Sequence, residues 1–273
     1  MGDDIAARLG IRWTVGDVSD RGFEALRLSV WGAHRAFGPN TAYAVCVNTI
    51  SVSDAQRKTG DLPPGVVWYD ATNHVPHFLR AHFDAGMAEG VGWKLAPMHF
   101  FPDRFELSLD NDCILWQVPP AISAWLEAED NETCVAAEDV IACFGQFADL
   151  CGPEPRNGGI RGLPPGFDLE AVMRELLALR PTTLTSELDE QGLQTAALSR
   201  KRPTRVVTLE DVTICSPFYP HREHLGKCGA HFVGLNTRHI PWDYYDRPAD
   251  EWEAAFWERH RPELYRLTGA PIQ

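Results

Sequence analysis

Asp110 and Asp112 flank Asn111 inside the run Arg104-Phe-Glu-Leu-Ser-Leu-Asp-Asn-Asp-Cys-Ile-Leu-Trp116. In an extended chain, residues two apart point to the same face. Two carboxylates at the end of a strand can therefore meet one hard divalent cation. Mg²⁺ or Mn²⁺ held by one or two carboxylates keeps open positions and binds jointly with substrate phosphates. The neighbours Leu107, Leu109, Ile114 and Leu115 are apolar, and an acidic pair in such a run needs compensation. Asp-Asn-Asp is also good turn chemistry, so the rest of the chain has to decide.

Further groups can do chemistry in His231-Phe-Val-Gly-Leu-Asn-Thr-Arg-His-Ile-Pro-Trp242. A neutral imidazole at His231 is a common metal ligand. Gly234 permits close backbone approach to a ligand, and Arg238 can grip phosphate oxygens in bidentate fashion. The plain alternative is a surface loop with a core-packed histidine. Asn157-Gly158-Gly159 offers backbone N–H groups to a polar ligand, or is simply a turn. Glu187-Leu-Asp-Glu-Gln191 opens a helix. Carboxylates are favoured there by the helix dipole alone, and can also hold sugar hydroxyls or stabilise a cationic transition state. His221, His224, Cys228 and His231 form a rival set able to ligate zinc, though their spacing matches no familiar finger. His74 and His77 bracket Pro76, which points to a packed turn. No Walker-type loop, GxGxxG or GxSxG occurs.

These groups must be positioned by regular elements. Residues 11–18 read as a strand ending in Gly16-Asp17, followed by a helix over about 20–37 with Phe23, Leu26, Val30 and Trp31 at helical spacing. Residues 43–48 are a short, apolar, β-branched strand. Residues 53–65 are polar and turn-rich and read as a loop, and 66–70 as a third strand. Helices are expected over 76–88 and 92–100, then the strand that carries the carboxylates. That alternation predicts an α/β layer with a mostly parallel sheet. Ligands then sit outside the carboxyl ends of the strands, where Asp17, Asp110 and Asp112 fall. Further on, a helix starts at Pro119. Residues 133–150 fit strand and helix equally, and 156–162 read as a glycine-rich turn entering a short strand. Helices are expected over 169–179 and 186–199, the second with a capping-box-like Ser186 and Asp189. A strand over 206–214, a long loop over 216–242 and an amphipathic helix over 249–267 complete the chain.

The 273 residues suffice for one large or two small domains. A net charge of -13 disfavours a nucleic-acid backbone or an anionic membrane as partner. Seven scattered cysteines without a CxxC read as free thiols of a reducing compartment. The amino terminus shows no signal peptide, and no apolar run approaches the ~20 residues of a spanning helix. The expected location is the cytoplasm, and oligomeric state is left open.

The order of these motifs resembles that of the GT-A glycosyltransferases, and within them glycosyltransferase family 8, the glycogenin and galactosyltransferase-like group. The likeness spans roughly residues 11–242. Trp13-Thr-Val-Gly-Asp17 stands where the family's first strand holds the nucleotide base, which implies donor contacts from Thr14, Val15, Gly16 and Asp17. Leu109-Asp-Asn-Asp-Cys-Ile-Leu115 is similar to the family's metal-binding strand, implying Asp110 and Asp112 as ligands with Asn111 beside the donor. Arg156-Asn-Gly-Gly-Ile160 is similar to the Phe-Asn-Ser/Ala-Gly-Val turn, and Asp189-Glu-Gln191 to the Asp-Gln segment. These imply that Asn157 and Gly158 address the donor sugar and that Asp189 and Gln191 are catalytic. His231-Phe-Val-Gly with Pro241-Trp242 resembles the closing His-Phe-x-Gly…Lys-Pro-Trp motif, whose histidine completes the metal site beside Gly234. The motif's lysine is not in place and the gap is longer: Arg238, His239 and Ile240 precede Pro241. Arg238 is then expected to supply the phosphate contact, with Lys94 as a second cation.

The resemblance implies one GT-A-like, Rossmann-like α/β domain over 1–248, with a mostly parallel central sheet and flanking helices. Residues 249–273 would dock on it as a C-terminal helix. It further implies a retaining, Mn²⁺- or Mg²⁺-dependent hexosyltransferase using a UDP-sugar and an unknown acceptor. Two other classes would use the same carboxylates. A nucleotidyltransferase would show a basic, Gly-rich loop after the first strand, where Val18-Ser-Asp-Arg-Gly22 has one Arg and one Gly. A non-catalytic sugar-nucleotide or metal-binding module is the other.

Overall fold

The computed structural model describes residues 6–72, 74–83, 94–96, 98–128, 130–200 and 202–272. Strand β1 (Leu9–Val15) lies in the middle of a seven-stranded sheet. Its neighbours are β2 (Ala42–Val47) and β4 (Phe105–Asp110), with β3 (Val66–Asp70) outside β2. All of these pairings are parallel. On the other side the order continues to β7 (Arg156–Leu163), β6 (Cys134–Glu138) and β8 (Thr204–Val207). Here β7 runs antiparallel to both β4 and β6, while β8 returns parallel to β6. This is the α/β, mostly parallel sheet with flanking helices that the alternation of elements predicts.

Alternation along the central strands divides the sheet into two unlike faces. Leu9, Ile11, Trp13 and Val15 of β1 join Phe105, Leu107 and Leu109 of β4 in one apolar core. Helix α1 (Asp20–Phe37) covers that face with Phe23, Leu26, Val30 and Ala33. Ser19 caps α1 by accepting from Gly22 N, and Gly38 ends it. The opposite face carries charge. Arg12 of β1, Glu106 of β4 and Arg161 of β7 are almost wholly buried there. Arg12 Nε donates to Glu106 Oε1 at 2.9 Å, and Arg161 Nη2 lies 3.9 Å from the same oxygen. The backbone N–H groups of Phe100 and Phe101 donate to the other oxygen, Oε2. Two guanidiniums and two amides hold the Glu106 carboxyl below the usual range against the opposing effect of burial. Helix α4 (Pro120–Glu127) adds Ile122, Trp125 and Leu126 to the apolar core, and a second apolar cluster, with α5 (Leu169–Leu179) and α6 (Glu187–Ser199), closes over the charged face.

A smaller three-stranded sheet takes over where β4 ends. Strand β5 (Cys113–Leu115) pairs antiparallel with β10 (Gly229–Phe232), which pairs parallel with β9 (Val212–Cys215). The last helix, α7 (Ala249–Thr268), packs against α1. Its Trp257, Arg261 and Tyr265 all donate to the Glu24 carboxylate of α1.

Several expectations need correction. Residues 53–65 are not a loop throughout, because α2 (Val52–Thr59) forms there, capped by Ser51 and Gly60. It buries only Ala55 and Thr59, so no apolar stripe marked it in the sequence. Residues 156–162 are a full strand, not a turn. The expected strand 206–214 is two strands in two sheets, divided by a turn in which Asp211 N and Val212 N donate to Thr208 O. Residues 134–138 resolve as strand because β7 and β8 flank them, and a 3₁₀ turn follows at Gly145–Phe147. The long loop 216–242 contains β10. The helix predicted from 76 is only α3 (His77–Arg80) as far as residue 83. The described residues between 94 and 100 form no α-helix, and the remainder of both predicted helices lies outside the described residues.

Replacing Glu106 with Ala leaves two buried guanidiniums without their shared anion. The expected cost is about 3–5 kcal/mol of folding stability, measured by urea denaturation. A loss below about 1 kcal/mol would show that the charges on this face are compensated from elsewhere.

Candidate functional site

The end of β4 is where the two sheets meet. Asp110 is the last residue of β4, Asn111 and Asp112 make the turn, and Cys113 opens β5. The β5–β10 register places His231 opposite Cys113, and Phe232 N donates to Asp112 O at 2.9 Å. Residues distant in sequence are thereby locked beside one another by main-chain bonds. His231 Nε2 lies 3.2 Å from Asp112 Oδ1 and 3.6 Å from Asp110 Oδ2. One ligand atom from each of the three residues falls within 4.8 Å of the others.

The donor set fits a divalent cation. Asp112 Oδ1 is buried and accepts no hydrogen bond, although a buried carboxylate oxygen normally has a partner. Two hard oxygens and one imidazole suit Mn²⁺ or Mg²⁺ with positions left for water or phosphate. Burial alone would pull the His231 pKa down, but the Asp112 and Asp110 charges outweigh it and hold the pKa above the ordinary value of 6.5. Asp112 Oδ2 is fixed by Asn236 Nδ2 at 2.9 Å. Asn111 is buried with its amide turned away from the cluster, donating to Gly22 O at 3.0 Å and pairing with Asn236.

Strand β7 explains the second glycine of Asn157-Gly158-Gly159. A Cβ on Gly159 would sit 2.3 Å from His231 Cε1, so only glycine lets the imidazole lie against the strand. Gly158 N donates to Gln191 Oε1 at 3.3 Å. The Asn157 amide is spent on Asp139 Oδ2 and on Gly159 N. The side chains of α6 divide their tasks. Asp189 accepts from Gln146 N, Thr185 N and Gln146 Nε2, and these bonds hold its carboxyl below the usual range despite burial. Gln191 Nε2 donates to Cys143 O. Both residues pin the start of α6, Asp189 to 146 and 185 and Gln191 to β7 and 143.

One cation borders the cluster, and a second lies beyond the end of β1. Lys94 Nζ donates to Asp110 Oδ2 at 2.7 Å. Burial opposes its charge, but Asp110, Glu190 and Asp112 overcome that and raise its pKa. Beyond the end of β1, Arg238 pairs with Asp17 and donates to Val18 O at 3.2 Å. The Arg238 hydrogen bond keeps the Asp17 carboxyl below the usual range. Thr14 accepts from Arg12 Nη1, and Asp17 N donates to Thr49 Oγ1. Thr14 is in register with Asp110 at the end of the β1–β4 pairing, and Gly16 and Asp17 follow beyond the end of β1. Gly234 adopts a left-handed φ of 96° that favours glycine, and a Cβ there would meet Glu253 Oε1 at 2.7 Å.

The chain as a whole is similar to solved glycosyltransferases. A galactosyltransferase, LgtC, in complex with donor and acceptor sugar analogs matches at TM-score 0.59 and 14% identity, covering 97% of this chain and 96% of that one. An active-site mutant of LgtC matches at TM-score 0.55 and 15% identity, over 95% of this chain and 99% of that one. The bifunctional glycosyltransferase WbbM matches at TM-score 0.57 and 16% identity, over 95% of this chain and 51% of that one. No protein-family model and no curated protein matches the sequence. The fold is that of the GT-A glycosyltransferases.

Within this GT-A fold the rival zinc set does not assemble. Among the described residues, Asp110, Asp112 and His231 are the one group of metal-competent side chains brought together. His221 instead turns its Nδ1 to Phe218 O at 3.0 Å. Three relevant residues escaped sequence reasoning. Asn236 carried no spacing signal. Glu190 and Glu253 are buried carboxylates pushed up to about 7, by burial in the first place. Glu190 had a signal, since it stands between Asp189 and Gln191 in the stretch singled out for sugar contacts. Glu253 had none, because nothing in an amphipathic helix tells which glutamate faces inward.

A proton on His231 competes with a metal ion. Protonated His231 stabilises the metal-free protein below its unfolded pKa, and that contribution is lost as pH rises through its elevated folded pKa. Mn²⁺ affinity and the Mn²⁺-induced rise in Tm are therefore expected to be larger at about pH 8 than at about pH 6, as read by calorimetry and thermal unfolding. Gly159→Ala forces the imidazole off β7 and should weaken Mn²⁺ binding roughly 10–100-fold, while unfolding stays cooperative.

Proposed function

We propose that this chain is a metal-dependent glycosyltransferase that moves a sugar from a nucleoside-diphosphate sugar, a UDP-sugar, to an acceptor hydroxyl. The observation that carries this reading is the Asp110–Asp112–His231 cluster at the carboxyl end of β4 in a GT-A fold. Asp110, Asp112 and His231 would hold the cation. Bound there, Mn²⁺ or Mg²⁺ supplies Lewis-acid stabilisation of the charge on the departing diphosphate.

The remaining tasks fall to the chain's own residues. Lys94, beside Asp110, adds a positive charge facing the phosphates, and Arg238 adds a second from the loop after Gly234. Thr14, Val15, Gly16 and Asp17 line the approach expected for the nucleotide base. Asn111 fixes the turn between the ligating aspartates. Gly158 presents a side-chain-free strand to the donor sugar, with Asn157 shaping its start. Asp189 and Gln191, the carboxylate and amide first expected to be catalytic, act in this reading as positioning residues for α6. Residues 1–248 would form the catalytic domain and 249–273 its docked C-terminal helix. LgtC, the similar enzyme, is described with donor and acceptor sugar analogs, which supports a donor and an acceptor here. Among the described residues no helix is long and apolar enough to cross a membrane. All seven cysteines are free thiols, which supports a reducing compartment.

A thermal-shift panel of UDP, UDP-glucose, UDP-galactose and UDP-N-acetylglucosamine with and without Mn²⁺ tests this function. Stabilisation by nucleotide is expected only with metal present. Asp112→Ala should abolish that shift and leave the unliganded fold intact. Metal-independent nucleotide binding, or none at all, would sink the reading.

A further inference from the structure

Among the described Phe, Tyr and Trp residues three are exposed, and all three gather in one place. Tyr219 is 89% exposed, Tyr245 79% and Trp242 47%. The ring of Tyr244 joins them. Its centroid lies 6.3 Å from that of Trp242, 4.6 Å from Tyr245, 5.2 Å from Phe218 and 6.0 Å from Trp252. Its hydroxyl accepts from Tyr219 N at 3.4 Å, and its carbonyl accepts from Trp252 Nε1 at 2.7 Å. Tyr245 is presented at a cost to the backbone. Strands β11 (Asp243–Tyr244) and β12 (Arg247–Pro248) form a hairpin whose two-residue loop is Tyr245-Asp246. A loop this tight commonly takes positive φ at both positions, which favours Asn and Gly. Here φ is 47° at Tyr245 and 62° at Asp246. A bulky side chain in that region is an outlier, and such outliers gather at ligand clamps.

The patch stands at the same end of the small sheet as the candidate metal site. Strands β9 and β10 run parallel, with Ile214 in register with His231 and Cys215 with Phe232. Tyr219 follows Cys215 by four residues, at most about 14 Å of chain. The segment that leaves Phe232 passes through Asn236, which donates to Asp112 Oδ2, and arrives at Trp242. Both routes into the patch therefore start beside the cluster.

Charge selects among occupants. Asp243 and Asp246 are exposed beside the rings, and the chain carries a net charge of -13, which repels an anionic lipid surface. A neutral saccharide is not repelled. The weakly positive C–H groups of a pyranose face suit the negative face of an aromatic ring, and its hydroxyls can donate to carboxylates at the edge. Tyr and Trp supply this area with few rotatable bonds. Their packing on Tyr244 orders them before a ligand arrives, which lowers the cost of binding.

We propose that this aromatic patch holds the distal units of the acceptor and that the acceptor is a neutral oligosaccharide, an inference that rests on the glycosyltransferase reading above. The unit bearing the reacting hydroxyl faces the donor, and the units behind it lie across Tyr219, Tyr245 and Trp242. No bond is made or broken at the patch. It contributes to acceptor affinity, so it acts on KM and not on kcat.

The test uses the full chain with Mn²⁺ and UDP. Lactose, maltotriose, cellotriose and triacetylchitotriose are compared with galactose, glucose and N-acetylglucosamine by NMR titration. At least one oligosaccharide should bind about tenfold or more tightly than its monosaccharide. The double variant Tyr219→Ala, Tyr245→Ala should lose that advantage and keep the wild-type UDP affinity and Tm. With the UDP-sugar that the wild type hydrolyses, the bound oligosaccharide should gain one sugar residue, at a KM that the double variant raises about tenfold with kcat retained. No preference for an oligosaccharide, or a preference that survives the loss of both tyrosines, overturns the proposal and leaves the donor reading standing. An oligosaccharide that binds through the tyrosines and is never extended makes the patch a lectin-like surface and overturns the acceptor assignment. Phosphatidylserine vesicles that bind the wild type and not the double variant, or a dimer that the double variant dissociates, would put a membrane or a second copy on the patch and overturn it too. Failure of the wild type to bind UDP with Mn²⁺ removes the glycosyltransferase reading itself, and the acceptor with it.

Discussion

Glu106 sits between Arg12 and Arg161 in the middle of the sheet, and much of the site depends on that contact. It links β1, β4 and β7 through side chains on the face opposite the apolar core. It also reaches outward. Arg12 Nη1 holds Thr14, Arg12 Nη2 donates to Lys94 O at 3.4 Å, and Arg161 holds Gln194. Three residues at three edges of the candidate site are thereby referenced to one buried carboxylate. A buried ion group of this kind gives little net stability. What it offers here is fixed geometry, because each charge has a limited set of partners in a buried region.

The second constraint is the change of sheet at Asn111 and Asp112. Strand β4 belongs to the large sheet and β5 to the small one, so the turn between them cannot slide without breaking both. A one-residue slip in β5–β10 pairing would move His231 to the other face. Phe232 N bonded to Asp112 O, and the Asn111–Asn236 pair, oppose such a slip. The candidate ligands Asp110, Asp112 and His231 are thus placed by strand register and by the turn that register fixes, which suits a site that would have to hold its shape as substrates come and go.

The sequence made the central carboxylates visible because they interrupt an apolar strand, and His231 because it heads a glycine-bearing stretch. The parallel half of the sheet was legible from strands alternating with helices. What stayed hidden depended on partners. Nothing local shows that Thr208–Asp211 divides one β-rich run between two sheets. Asn157-Gly-Gly looked like a turn because the reason for Gly159, the His231 ring, lies on another strand. The α2 helix was missed because it buries almost nothing. Glu190 was passed over in favour of its neighbours, since helix-start carboxylates look alike until burial and bonding separate them.

Glu253 gives the C-terminal helix an unexpected share in events at the aspartates. It is buried beneath Gly234 with neither oxygen hydrogen-bonded, and Arg21 Nη2 is 3.5 Å away. Burial raises its pKa first, Arg21 opposes, and the charges of Asp250 and Asp112 raise it further. A cation on Asp112 would cancel part of that last influence and make Glu253 a stronger acid. Filling the site would then favour loss of the Glu253 proton, and the same linkage run backwards relates the charge on that helix to how tightly the cation is held. The tail of the chain is in this sense coupled to the site by charge alone.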